Sequence, residues 1–225
     1  MASSGLSRAS VSLSVASRLD ASAEATANAA ATMVSRPVEY DEDHVAGGGR
    51  RRPKYDVFIN HRGVDTKRTV ARLLHDRLAQ MGVRSFLDNM SMRPGDRLVE
   101  SIFGAIRECR VGVAIFSPRY FESDYCLREL AALVEARKVI IPIFVDMKPS
   151  ELVLPQAVVD SDEYLPGDIE RFRAALRVAK YTVGICYNSA TGDLVELVSA
   201  AANAVLERIE ETQSVQTQQM IFSRL

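Results

Sequence analysis

Tyr125 and Glu129 stand four residues apart in the stretch Ser123-Asp-Tyr-Cys-Leu-Arg-Glu-Leu-Ala-Ala-Leu133. In a helix that spacing puts both side chains on one face. A carboxylate there can stabilise an oxocarbenium-like centre while the aromatic ring stacks on a base. The same pair also reads as a solvated Glu beside a boundary Tyr, because an exposed Glu on a helix is ordinary. Leu127, Leu130, Ala131 and Val134 fall at i, i+3, i+4 and i+7 and give the helix one apolar stripe. Ser123 and Asp124 are both N-cap candidates before it. Glu129 lies off the stripe, so the fold is not expected to depend on it. Arg62 and Lys67 offer a second feature, two cations in a loop ahead of a helix, which suits a diphosphate or is simply a solvated loop.

The elements that must hold these residues follow from periodicity. Tyr55–Asn60 is a short, mostly apolar strand. Asp65 or Thr66 is expected to cap the next helix, whose buried face is Val70, Leu73, Leu74, Leu78 and Met81 and which Gly82 ends. Val83–Leu87 is strand two, and a polar, flexible loop from Asp88 to Asp96 follows, with Pro94-Gly95 at its tip. Leu98, Ile102, Ala105 and Ile106 mark a second helix, and Val111–Phe116 is strand three. The Glu129 helix comes next, then Val139–Val145 as strand four. A connection containing Pro149 and Pro155 leads to a helix over Ile169–Ala179, a strand over Thr182–Cys186 and a last helix from Gly192 to about Ile209. This alternation predicts an α/β fold: a flavodoxin-like, doubly wound five-stranded parallel sheet of order 2-1-3-4-5, with helices on both faces. Ligands bind such sheets beyond the carboxyl ends of the strands, where the winding reverses. Here that is the crevice between the ends of strands one and three, and it places Tyr125 and Glu129 beside the Arg62–Lys67 loop.

Composition limits the alternatives. The 225 residues are 47% apolar and 25% charged with a formal net charge of −1, a globular balance with no global field toward nucleic acid or acidic membranes. Cys109, Cys126 and Cys186 are scattered and odd in number, which suits a reducing compartment better than a disulfide framework. No zinc-ligand spacing appears, and the longest strongly apolar run, Val139–Val145, is far short of a membrane span. Residues 1–52 are rich in Ala, Ser and Gly and are expected to be disordered; residues 53–210 form the domain, and 211–225 a flexible tail. The first 19 residues carry Arg8 and Arg18, many Ser and no acid, as a transit peptide does, while Asp20, Glu24 and the acidic cluster Glu39–Asp43 weigh against that.

Several sites are absent from the sequence. No G-x-G-x-x-G follows a strand, no P-loop occurs, and no G-x-S-x-G elbow is present. Strand three runs into Phe116-Ser117-Pro118 with no Asp to accept a phosphoryl group. One carboxylate suffices where the leaving group is already cationic. Nicotinamide departs neutral from a ribose and needs no general acid, so the protein need only stabilise the ribosyl centre.

Tyr55-Asp-Val-Phe-Ile-Asn-His-Arg-Gly-Val-Asp-Thr66 resembles the YDVFLSFRGEDT motif of plant TIR (Toll/interleukin receptor) domains. Cys126-Leu-Arg-Glu-Leu130 resembles the family's CLxEL, and Lys148-Pro-Ser-Glu151 its DPSxV-like turn. The resemblance covers about residues 53–210 and points to a TIR-only protein. It implies an enzyme that cleaves NAD+ or NADP+ at the nicotinamide–ribose bond and makes ADP-ribose or cyclic ADP-ribose isomers as immune and cell-death signals. The catalytic Glu then falls on Glu129, and the aromatic contact on Tyr125, where plant members usually have Trp. The nucleotide-contacting loop falls on Arg62, Gly63, Asp65, Thr66 and Lys67. The mobile loop, with Asp88, Arg93 and Gly95, is set against a neighbouring subunit in a self-associated state of two or more copies, and docking with other TIR proteins is also implied. NAD(P)+ is substrate, no cofactor is expected, and the expected setting is the cytoplasm, with nucleus and plastid as alternatives. His61 stands for the usual Phe, Val64 for the usual Glu, and Arg72-Leu73 for a Ser-His pair used in one self-association surface. The competing readings are a non-enzymatic adaptor acting by TIR–TIR docking, and nucleic-acid hydrolysis or cyclic-nucleotide synthesis by TIR filaments, to which the near-neutral charge gives little support.

Overall fold

The computed structural model of the protein describes residues 53–92 and 95–222. The segment 1–52 and Arg93 lie outside the described residues. The strands are β1 (Val57–His61), β2 (Ser85–Phe86), β3 (Val111–Phe116), β4 (Val139–Val145) and β5 (Ile185–Tyr187). The main helices are α1 (Val70–Gln80), α2 (Leu98–Glu108), α3 (Asp124–Glu135), α4 (Pro166–Lys180) and α5 (Leu194–Phe222). Short helical turns occupy Gly63–Thr66, Asp88–Ser91, Tyr120–Glu122, Pro149–Glu151 and Gln156–Val159.

All pairs are parallel and the sheet order is β2-β1-β3-β4-β5, the doubly wound arrangement expected. β1 and β3 are buried on both faces, as strands covered by helices on each side must be. On one face Phe58, Ala114 and Phe144 meet Ile102 of α2, Leu127 and Leu130 of α3 and Phe172 of α4. On the other, Val57, Val113 and Ile143 meet Leu74 and Leu78 of α1 and Ala202 and Val205 of α5. The period of two along β1 sends Asn60 to the same face as Phe58, toward α3.

α3 carries the candidate catalytic residue, and three features fix its place. Ser123 caps it, accepting a hydrogen bond from the Cys126 N–H at 3.4 Å. Gly112 of β3 lets it approach: a methyl there would stand 3.0 Å from both terminal carbons of Leu133. Arg128 ties it to α4. Its guanidinium donates to Asp124 at 2.8 Å, lies 3.7 Å from Asp168, and sits over the rings of Tyr164 and Phe172. Arg128→Ala leaves Asp124, itself largely buried, without that cation, and should cost about 2 kcal/mol. The change in a urea unfolding midpoint measures it.

Several expectations need correction. Leu133, seated at Gly112, completes the buried face of α3 where the i+7 rule names Val134, which is only half-buried. Leu73 of α1 is exposed and Ala71 buried in its stead. Neither Asp65 nor Thr66 caps α1; its N-cap is Thr69, and 63–66 is a helical turn of its own. β5 begins at Ile185, three residues later than expected. Pro142 on the neighbouring strand has no N–H to offer, and pairing starts only at Ile143. The last helix does not stop near Ile209 but runs to Phe222, so 211–222 is helical and not a loose tail. The Gln- and Thr-rich composition suggests looseness, but no Gly or Pro interrupts the chain after Gly192, and propensity carries the helix on. Among the described residues no helix is long and apolar enough to cross a membrane.

Candidate active site

Glu129 is buried, only 9% exposed, on the second turn of α3 at the carboxyl end of β1. Of the two readings of Glu129, a carboxylate lining a crevice or a solvated surface residue, burial removes the second. The stripe faces the sheet, whereas Glu129 flanks it and meets the end of β1. Its Oε2 accepts from Asn60 Nδ2 at 2.9 Å. Asn60 is fully buried and fully bonded. The second Nδ2 hydrogen goes to the Cys126 carbonyl at 3.1 Å, and Oδ1 accepts from the Tyr120 hydroxyl in a short bond. Tyr120 is itself buried, its ring 4.7 Å from that of Phe116.

Burial pushes the Glu129 carboxyl up to about 8; the Asn60 hydrogen bond opposes that, and the charge of Asp88 adds to it. The resting site therefore holds a mostly protonated Glu129 at neutral pH. Burial also depresses His61, which stays neutral, with the nearby Asp88 acting the other way. His61 Nε2 is buried and meets no hydrogen-bond partner among the described residues, and neither does the Tyr125 hydroxyl. Tyr125 is half-buried one turn before Glu129. Burial, Asp124 and Glu129 together raise its phenol to about 12, so it is neutral and available for stacking.

The other expected residues divide into two groups. Arg62, Gly63, Thr66 and Lys67 lie in the turn that leaves β1, and Lys67 Nζ sits 3.7 Å from Asp88 across the crevice mouth. Thr66 is buried, and its hydroxyl donates to the Arg62 carbonyl at 3.2 Å, which steadies the turn. Asp65 faces away from this group. It accepts from the Ser117 hydroxyl and the Arg119 guanidinium, each at 2.7 Å, and clamps the ends of β1 and β3 together. Burial pushes its carboxyl up, but the bonds from Ser117 and Arg119 outweigh that and hold it below the usual range. Asp65 is thus committed to structure. Gly95, at φ +99°, sits beyond the Asp88–Ser91 turn in a conformation that only glycine adopts without strain.

Asn60 and Tyr120 are the members that residue-by-residue reading passes over. One signal is present: a single amide near the carboxyl end of an otherwise apolar parallel strand must find partners or cost free energy. Tyr120 offers no such cue. Among the described residues no group of three or more His, Cys, Asp or Glu could hold a metal ion.

A buried acid at the switch point of a 2-1-3-4-5 sheet, behind a basic turn, narrows the family, and the match of residues 57–177 to the TIR domain decides it. The chain is a TIR-domain protein. It is 67% identical over 228 residues, covering all of both chains, to a Brachypodium distachyon protein named "Probable 2' cyclic ADP-D-ribose synthase BdTIR". It is 31% identical over 146 residues to TMV resistance protein N of Nicotiana glutinosa, spanning 60% of this chain but 13% of that one. Among solved structures, the TIR domains of the activated Roq1 resistosome that directly recognizes the pathogen effector XopQ superpose with a TM-score of 0.59. They share 25% identity, over 67% of this chain and 99% of that one.

Proposed function

We propose that this TIR protein cleaves the nicotinamide–ribose bond of NAD+ or NADP+. It releases nicotinamide with ADP-ribose and cyclic ADP-ribose products that signal in plant immunity and cell death. The observation that carries this reading is the Glu129 carboxyl, buried at the end of β1 with Tyr125 beside it. Nicotinamide in NAD+ is cationic, so its approach favours the ionised form and draws the raised Glu129 pKa down. Substrate binding then expels the proton. The carboxylate so formed stabilises the oxocarbenium-like ribosyl centre while nicotinamide leaves neutral. Tyr125 stacks on an aromatic base, worth on the order of 1 kcal/mol. Arg62 and Lys67 face the diphosphate, and the long Lys67–Asp88 contact of 3.7 Å is loose enough for a phosphate to displace. NAD(P)+ is the substrate, and no cofactor enters the proposal.

TIR–TIR contacts complete the site in this reading, with the Asp88–Asp96 loop against a neighbouring copy. The proposed setting is the cytoplasm, where the three cysteines stay as thiols.

The test is nicotinamide release from NAD+ by the purified protein at high concentration across pH. The acid that must ionise titrates at about 8 in the free protein. Below that value kcat/KM should rise about tenfold per pH unit, and above it level off. A profile flat from about pH 6 to 9 would remove the raised carboxyl from the reaction. No release from a protein that visibly assembles would favour the adaptor reading, which has no use for a buried acid here.

A further inference from the structure

The carboxyl of Glu129 does not hold itself in place. Its Oε2 has one partner that the fold fixes from three sides, and that partner is Asn60. The amide donates to two acceptors, Glu129 Oε2 at 2.9 Å and the Cys126 carbonyl at 3.1 Å. It accepts from a third group, the Tyr120 hydroxyl, which also lies 3.0 Å from the Cys126 carbonyl. Turning the amide over would set its oxygen against the Cys126 carbonyl, which can only accept, so a single orientation survives. Asn60 is wholly buried on β1 and paired with Ala114 of β3, with neighbours Ile59 and His61 in register with Val113 and Ile115. Its bonds to Cys126 and Tyr120 hold this amide independently of the carboxyl it meets.

We propose that Asn60, locked by Tyr120 and the Cys126 carbonyl, is the positioning residue for Glu129, fixing one carboxyl oxygen so that the other is presented to the ribosyl centre. The assignment rests on the glycohydrolase reading above for the word ribosyl, but not for the coupling between the two side chains. The Asn60 N–H also favours the ionised carboxyl, against burial and against Asp88. The other titratable groups around Glu129 are Asp88 after β2, His61 on β1, Tyr120 after β3, and Tyr125 and Cys126 on α3. Tyr120, Tyr125 and His61 are neutral, so burial first and the charge of Asp88 second raise the carboxyl, and the amide opposes both. The TIR motif quoted above has Ser at this position. A serine side chain is shorter by a full group, so the reach from β1 to Glu129 is a property of the asparagine.

Two variants test this. Asn60→Ala removes the donor. Tyr120→Phe keeps the ring packing and leaves the Asn60 donor in place, removing the hydroxyl that holds the amide and that also lies against the Cys126 carbonyl. The primary readout is the Glu129 titration by 13C-carboxyl NMR, with the resonance assigned by its loss in Glu129→Gln. The midpoint should move up by about one to two pH units in Asn60→Ala, as expected when a charged group loses a hydrogen bond. Tyr120→Phe should move it in the same direction by less. In nicotinamide release, the alkaline displacement of the kcat/KM profile should match, with kcat falling at least tenfold and KM changing little, about what one misplaced transition-state contact costs. An unmoved Glu129 midpoint in both variants overturns the proposal, whatever the protein does to NAD+. A moved midpoint with no nicotinamide release, wild type included, leaves the coupling standing and overturns the glycohydrolase reading. A moved midpoint with kcat still at the wild-type value overturns the positioning role.

Discussion

Glu129→Gln is expected to lower nicotinamide release by about 10^3-fold, the scale on which removal of one preorganised electrostatic contact acts in a water-poor site. Glutamine is the informative replacement because of what the structure places around the carboxyl. Its amide oxygen can still accept from Asn60 Nδ2, so the Asn60–Tyr120–Cys126 cluster stays satisfied. Only the ability to become an anion is lost. Alanine removes that ability too, but it also leaves a buried Asn60 N–H without an acceptor, a cost of about 1–3 kcal/mol, and opens a void beneath α3. A dead alanine variant would therefore mix chemistry with stability. The assay is nicotinamide release at matched protein concentration, with thermal unfolding of both proteins alongside. Turnover within a few-fold of wild type would mean that Glu129 does not carry the reaction.

Much of this arrangement is legible in the residue order. The apolar runs of β1, β3 and β4 and the alternation of strands with amphipathic stretches dictate the doubly wound sheet, and the winding alone puts Glu129 and the Arg62–Lys67 turn at one crevice. What periodicity cannot report is depth at the margin of a stripe. Glu129 flanks the apolar face of α3 by one position, and whether such a residue meets water or protein depends on what stands opposite. Here that is Asn60, 69 positions away in the chain. Asp65 shows the same limit from the other side. Its place in a basic, glycine-containing loop reads as substrate binding, yet Ser117 and Arg119, 52 and 54 residues later, claim both of its oxygens. Pairings of this kind are set by strand register and loop path, which local patterns do not encode. The helical stretch beyond Ile209 escapes for a different reason: composition suggests a loose tail where the absence of any breaker is the stronger signal.

The second large effect is on stability, and its sign follows from the raised Glu129 pKa. The unfolded chain gives up this proton near the ordinary 4.5, and the folded protein holds it to about 8. Between those values the folded state binds a proton that the unfolded state has lost. Stability therefore falls as pH rises from 4.5 toward 8 and is flat, for this group, above it. Glu129→Gln has nothing to titrate and escapes the penalty. The two proteins should be nearly equal in stability at pH 4.5. The variant should gain progressively with pH and end more stable than wild type by a few kcal/mol near pH 8, since holding the proton through each further pH unit costs the folded state about 1.4 kcal/mol. Urea unfolding of both proteins at matched pH isolates this difference, because every other titrating group is common to the pair. A constant gap across that range would mean that Glu129 ionises near its ordinary value and that the resting site holds a carboxylate. A gap that widens with pH identifies stability held back to keep an acid buried. That is the cost expected of a site whose carboxyl becomes an anion only when a cationic substrate arrives.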